Sequence, residues 1–259
     1  MTLGICKLCG EEKNLKRSHV IGKTVFSKIL RETEGNYAIN ISLSEKKIKK
    51  SNDTWESRLL CSGCESRLNN KFEDYSIHVL RQEYRDVKYS NGPHGVFFKN
   101  VETYRVILYF FSIFWRAGYS SHKAYKNSVI NDGVSNHLIN AFDGEIKLNS
   151  KHFSVRVRLL KDHTNALPPE FLKRQIFSPY NRLKDDGFVF SLVYEGYFFE
   201  LFFNASNFRE RQKPGFLNSK NDFFFVPYVD VFDVPEITEV LFQCFKIHKE
   251  TPDEEKIKI

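Results

Sequence analysis

Six positions in the first quarter of the chain carry side chains that can bind a metal ion or move a proton. Cys6 and Cys9 form one CxxC pair and Cys61 and Cys64 a second, with His19 between them and Glu65 directly after. Thiolates are soft ligands, and four of them from two tight turns can close a tetrahedral Zn2+ site. Such a site supplies folding free energy to a segment too short to bury an adequate core of its own. CxxC spacing without a visible export signal points to metal, not to disulfides. The fifth cysteine, Cys244, stands alone in a Phe-rich segment and reads as an inert buried thiol.

These residues need particular elements to bring them together. Cys6 and Cys9 bracket a tight turn, and Gly10 suits a positive φ just after it. The stretch from Lys16 to Ile21 reads as a strand entering a turn at Gly22, followed by a helix over Thr24 to Arg31 with Val25, Phe26, Ile29 and Leu30 on its apolar side. Between Asn36 and Ser57 a weak alternation predicts a strand or hairpin with a cationic edge at Lys46, Lys47, Lys49 and Lys50. Leu59-Leu60-Cys61 leads into the second knuckle, and Glu65 to Arg85 is helical by period, with Leu68, Phe72, Tyr75, Ile77, Val79 and Leu80 apolar. A carboxylate at Glu65 either complements the helix dipole or offers an oxygen ligand to a hard divalent ion. Asn69 follows four residues later on the same helical face.

The order CxxC, Ser18-His19-Val20-Ile21, then Leu59-Leu60-Cys61-Ser62-Gly63-Cys64-Glu65 at a helix start resembles the HNH, or ββα-metal, endonucleases in which a zinc knuckle braces the nuclease motif. The resemblance covers roughly the first third of the chain. It implies that His19 is the general base that activates water, and that the four cysteines hold structural zinc. It further implies that Glu65, with Asn69 and Ser18, lies where a catalytic divalent ion such as Mg2+, Mn2+ or Ni2+ binds. Ser18 stands where the family carries His or Asp, and Gly22 where a Pro often follows the strand. The loop Asn of the motif has no clear counterpart, with Asn52, Asp53 and Glu56 all nearby. DNA is the implied substrate, in a layout common to bacterial, phage and defence-system nucleases; the alternative is a zinc-braced nucleic-acid-binding or protein-interaction module that has lost catalysis.

Composition agrees with a globular α+β protein: 259 residues, 41% hydrophobic and 27% charged, with a net charge of +7. The first 90 residues hold 17 Lys plus Arg against 12 Asp plus Glu. A basic surface there, including Lys16, Arg17, Lys23 and the lysines from 46 to 50, would attract phosphate backbones. The chain divides at the turn cluster Asn91-Gly92-Pro93 into a zinc-binding nuclease module over 1–88 and an α+β region over 89–259, an antiparallel sheet packed with helices. That second region carries no recognised catalytic motif and is expected to recognise a target, dimerise, regulate, or dock a partner protein. Val101 to Tyr119 predicts a helix apolar nearly all round, hence buried. A second helix is predicted over Lys126 to Asn140. From Phe153 to Leu159 the period becomes two, with Arg156 and Arg158 outward, and strands flank Glu195-Gly196. Phe223 to Val231 predicts a strand, and Ile237 to Lys246 either a strand or a helix. The 25 Phe are read as core packing. The longest apolar run, Val106 to Trp115, is far shorter than the ~20 residues a membrane span needs, so a cytoplasmic location without membrane contact is expected. The tail from Thr251 to Ile259 is charged.

Overall fold

A computed structural model describes residues 2–32, 38–42, 47–167 and 170–252, with the backbone alone for 38–42 and 47–50. The predicted break at Glu34-Gly35-Asn36, the Pro168-Pro169 interruption, Lys46 and the last seven residues lie outside the described residues. The chain is mixed α+β. In the first part, β1 (Thr2–Ile5) and β2 (Glu12–His19) form an antiparallel hairpin. It leads to α1 (Lys23–Glu32) and to a two-stranded ribbon of β3 (Ala38–Ser42) and β4 (Lys47–Ser51). Next, β5 (Glu56–Cys61) pairs antiparallel with β2, which places Ser18 opposite Ser57 and His19 opposite Glu56. A helical rod follows at once: α2 (Ser62–Leu68), a π-turn over Asn69–Glu73, and α3 (Asp74–Leu80). The carbonyls loosened by the π-turn are taken up by Arg105, whose Nε donates to Lys71 O at 2.6 Å and Nη2 to Asn70 O at 3.1 Å.

The remainder is a seven-stranded sheet with helices. Its strands are β6 (Lys88–Gly92), β7 (Gly95–Lys99), β8 (Phe153–Lys161), β9 (Ile176–Lys184), β10 (Gly187–Tyr194), β11 (Tyr197–Phe203) and β12 (Phe223–Asp230), in the spatial order β6-β7-β12-β8-β11-β10-β9. The expected wholly antiparallel sheet is corrected at one place, since β12 runs parallel to β8. Having paired antiparallel with β7, β12 fills the gap beside β8 and meets that strand in the same direction. The turn at Asn91-Gly92-Pro93 joins β6 to β7 as a hairpin within this sheet. At the other predicted turn, Glu195 and Gly196 both have positive φ, 50° and 79°, the geometry that matches a two-residue hairpin to strand twist.

Helix α4 (Thr103–Tyr119) fills the space between the sheet and the cysteine-rich end of the molecule. Its apolar residues all round let it bury every side: Phe110 packs on Phe199, and Phe114 on Phe190 and Phe203. The segment predicted as helix from Lys126 starts later, as α5 (Asp132–Asp143), because Asn131 caps it through Oδ1 to Val134 N. Near the end of the chain the ambiguous stretch is helical, α6 (Pro235–Glu250). One apolar cluster runs without a break from Cys6 and Val20 through α4 to Phe199 and Val226. Polar contacts also tie the two parts together: Arg81 clasps Glu195 through Nε and Nη2 at 2.9 and 2.5 Å, and Tyr197 donates to Leu80 O at 2.5 Å. Among the described residues no helix is long and apolar enough to cross a membrane.

Candidate metal centre and the residues around it

The turn after β1 and the β5–α2 junction bring four sulfurs together. One ligand atom each from Cys6, Cys9, Cys61 and Cys64 lies within 4.8 Å of all the others. Tetrahedral zinc with Zn–S bonds near 2.3 Å spaces its sulfurs by about 3.8 Å, so a small closure suffices to hold an ion. The knuckle is built by backbone bonds: Gly10 N donates to Cys6 O at 2.9 Å, and Gly10 takes φ +72°. Lys7 N reaches Leu59 O at 3.0 Å, which locks the first knuckle to the second. Cys61 N points to Cys6 Sγ at 3.4 Å. Burial opposes the Cys6 thiolate, but N–H groups of Cys9, Cys61 and Leu8 outweigh it and bring the thiol to about 7. The Cys64 thiol moves the other way, pushed up by burial and by the Cys61 and Cys6 sulfurs. Packed like charges of this kind need either protons or a cation between them, and zinc binding releases the protons. Cys244 is only half-buried, and burial pushes its thiol up to about 11.

The residues beyond the cysteines gather on the helical rod. Glu65, Asn69 and Glu73 follow at spacing four along α2 and the π-turn. Ser18, 0% exposed, approaches Glu65 from the end of β2. Burial pushes the Glu65 carboxyl up; the Arg116 cation, the Ser18 hydroxyl and the Asn69 amide pull it down without offsetting that. Yet Glu65 Oε2 and Asn69 Oδ1 are buried without a hydrogen-bond partner among the described residues, and Ser18 Oγ, buried beside the Glu65 carboxyl, is not in full hydrogen-bond geometry with any of them. Three such oxygens in one place are an acceptor set suited to a hard cation.

His19 is largely buried, and its Nε2 lies 3.0 Å from Thr54 Oγ1 and 3.9 Å from Glu56 Oε2. Burial holds the imidazole below its usual pKa, more than the nearby Glu56 carboxylate raises it. At neutral pH the ring is therefore uncharged, the form that accepts a proton.

Five positions not picked out in the sequence complete the surroundings. Arg116 of α4, 1% exposed, donates Nη1 to His19 O at 2.8 Å and Nη2 to Glu73 Oε2 at 2.8 Å. Glu73 Oε1 packs where a Cβ on Gly22 would sit, so a larger residue at that turn would push the carboxylate from its place. Of the loop residues near His19, Thr54 makes the hydrogen-bond contact, and not Asn52, Asp53 or Glu56. Asp53 instead anchors the loop: Oδ1 accepts from Trp55 N at 2.9 Å and Oδ2 from His122 Nε2 at 3.0 Å. His122 Nδ1 accepts from Ala124 N, which leaves the ring proton on Nε2 for that bond. Trp55 has φ +54°, a strained value for a bulky residue. Its ring is held in place between Phe26, His122 and Tyr125. No sequence signal marked these residues.

Of the cationic positions, Lys16, Arg17 and Lys23 are exposed, and Arg17 Nη1 is paired with Glu56 at 2.8 Å. Lys47, Lys49 and Lys50 lie on β4, whose side chains, like Lys46 as a whole, are outside the described residues. Compared with models of protein families, with curated proteins and with solved structures, the chain matches none.

Proposed function

We propose that the chain is a metal-dependent endonuclease of the HNH type that hydrolyses DNA phosphodiester bonds, its fold braced by a structural zinc ion on the four cysteines. The observation that carries this reading is the buried oxygen set of Ser18, Glu65 and Asn69 beside a neutral His19, borne by two antiparallel strands and the helix that follows them. Ser18, Glu65 and Asn69 would hold a divalent ion such as Mg2+, Mn2+ or Ni2+, oxygen ligands for a hard cation. When bound, that ion supplies Lewis-acid stabilisation of charge on the phosphate and the leaving oxygen.

The protein's own groups do the rest. His19 accepts a proton from the attacking water, and Thr54 orients its ring. Arg116 holds the main chain of His19 and faces Glu65 and Glu73 with a fixed positive charge. Lys16 and Lys23, exposed beside the site, draw in the phosphate backbone.

A second reading has one observation in its favour: Ser18 is neutral where the resemblance calls for His or Asp, so Glu65 alone contributes charge to the ion. On that reading the chain is a zinc-braced binding module without catalysis. Plasmid nicking with Mg2+, Mn2+ and Ni2+, comparing the parent with His19→Ala at equal zinc content, separates the two. Loss of one general base slows cleavage about 10²–10⁴-fold. A parent that nicks with none of the ions, or a His19→Ala protein that nicks as fast, removes the nuclease reading.

A further inference from the structure

The sheet carries a second buried polar cluster, remote in sequence from His19 and the cysteines. Arg156, Glu200, Ser191 and Tyr180 stand in one cross-strand row over β8, β11, β10 and β9. Arg158 and Arg182 lie two residues further along β8 and β9, hence on the same face. Sequence alternation places Arg156 and Arg158 outward, toward water; both are instead half-buried around Glu200, which is 1% exposed.

The charges there do not cancel. Glu200 accepts from Arg158 Nη2 at 2.8 Å and from Arg182 Nη2 at 2.5 Å, and Arg182 Nη1 turns to Glu236 at 2.7 Å. Those two arginines already satisfy both carboxylates. Arg156 is the third guanidinium: its Nε donates to Pro214 O, its plane lies over Phe216, and its nearest terminal nitrogen stays 3.9 Å from Glu200. The Lys184–Glu210 pair alongside balances itself. One positive charge is therefore in surplus, on a side chain that keeps 24% of its surface exposed.

Hydrogen-bond capacity is in surplus as well. Arg158 Nε and Arg182 Nε have no partner among the described residues, and the hydroxyls of Tyr180 and the fully buried Ser191 have only each other. Every one of these four can donate. A carboxylate on its own has too few oxygens for so many donors in different directions, whereas a phosphate group presents three or four.

We propose that the Arg156–Arg158–Arg182 cluster around Glu200 is a binding site for a phosphate group, with Arg156 as its uncommitted cation and Ser191 and Tyr180 as hydroxyl donors. The site is independent of the nuclease reading, because none of its residues touches His19, Glu65 or the cysteines. The phosphate has two possible sources, a free nucleotide or the end of a nucleic-acid strand, and both present the same group to the guanidinium forks.

The test is calorimetric titration of the full chain with inorganic phosphate, adenosine monophosphate, and a short oligonucleotide with and without a 5′-phosphate, each against sodium chloride at matched ionic strength. Arg156→Gln is the informative variant, because Glu200 keeps Arg158 and Arg182, so the unliganded protein should lose only the Pro214 and Phe216 contacts and melt slightly lower. Phosphate should bind the parent, and Arg156→Gln should bind it about tenfold more weakly or worse, as loss of a charge-assisted bond implies. Ser191→Ala should lose less. Tighter binding of adenosine monophosphate than of the 5′-phosphorylated strand identifies a nucleotide as the source, and the reverse identifies a strand end. If Arg156→Gln fails to fold, Arg156→Lys replaces it, keeping charge and losing the fork, with intermediate affinity expected. Absence of binding in the parent, equal binding in parent and variant, or an equal response to chloride overturns the proposal.

Discussion

The acceptor set of Ser18, Glu65 and Asn69 and the donor set of Arg158, Tyr180, Arg182 and Ser191 each hold buried polar atoms left without a well-formed hydrogen bond among the described residues. In the first, an acid and two neutral oxygens come together and burial pushes the acid up, the situation of a cation site. In the second, guanidiniums outnumber carboxylates, the situation of an anion site. Their foundations differ too. The acceptor set rests on elements pinned by four cysteines, while the donor set rests on long strands whose pairing needs no metal. Incomplete buried polar networks cost stability at each open position, and the two proposed ligands of opposite sign would each relieve that cost.

The largest effect expected is on the first of these foundations. Removing zinc with a chelator, or replacing Cys61 with Ala, should cost on the order of 10 kcal/mol in the knuckle region. Hydrogen exchange should show protection lost over 2–19 and 56–80 while β8, β10 and β11 stay protected. Because one apolar cluster joins the two parts, simultaneous loss of protection in the sheet would show that they do not stand apart, and the contrast in foundations would fail.

Next in size is Arg116, the cation that α4 lends to the acceptor region. Replacing it with Met leaves Glu73 buried and unpaired and frees the His19 carbonyl, a change expected to cost about 3–5 kcal/mol by denaturant titration. Arg116→Lys keeps the charge but cannot serve His19 O and Glu73 together, so it should fall between the two. A loss below 1 kcal/mol in Arg116→Met would mean that Glu73 does not depend on Arg116 for its partner and that no fixed cation shapes this site.

The difference between what can and cannot be read along the chain follows the same division. The cysteine ligands were legible because each CxxC pair is local, and its spacing alone defines a turn. Helix α4 was legible through its apolar residues on every side, and the β10–β11 hairpin through Glu195-Gly196. By contrast, Thr54 meets His19 across 35 residues, His122 meets Asp53 across 69, and Arg116 meets His19 across 97. Contacts at those separations depend on how α4 seats between knuckle and sheet, which no local period encodes. Arg156 and Arg158 misled for a related reason: alternation marks the face of a strand but not whether Glu200 and the following loop cover that face. The parallel pairing of β12 with β8 was hidden because alternation is the same for either direction.

Proton linkage gives smaller effects, and opposite signs within the acceptor region itself. His19 has its folded pKa below the usual 6.5, so its contribution to stability is complete above 6.5 and is lost as pH falls through the folded value. Stability measured between pH 7 and 5 should therefore drop more steeply in the parent than in His19→Gln. Nuclease activity, if His19 is the base, should decline over the same acidic range below 6.5. Parallel stability curves for parent and variant would mean that the ring is free to charge in the folded state.

The smallest effect comes from Glu65, and its sign is the sharpest part of the comparison. Burial raises its folded pKa above the usual 4.5, so the protonated form stabilises the fold below 4.5 and that advantage is lost as pH rises through the folded value. At pH 7 without divalent ions the carboxylate is thus a net cost, which Glu65→Gln removes while keeping the shape. Thermal melts in chelator at pH 7 should place Glu65→Gln at or slightly above the parent, with the gap closing toward pH 4. Addition of Mn2+ should reverse the order, because a bound cation stabilises only the protein that keeps its carboxylate. A Glu65→Gln protein that melts lower at pH 7 in chelator would place Glu65 in a satisfied ion pair with Arg116. The acceptor set would then be an internal salt link, and only the donor cluster on the sheet would still call for a ligand.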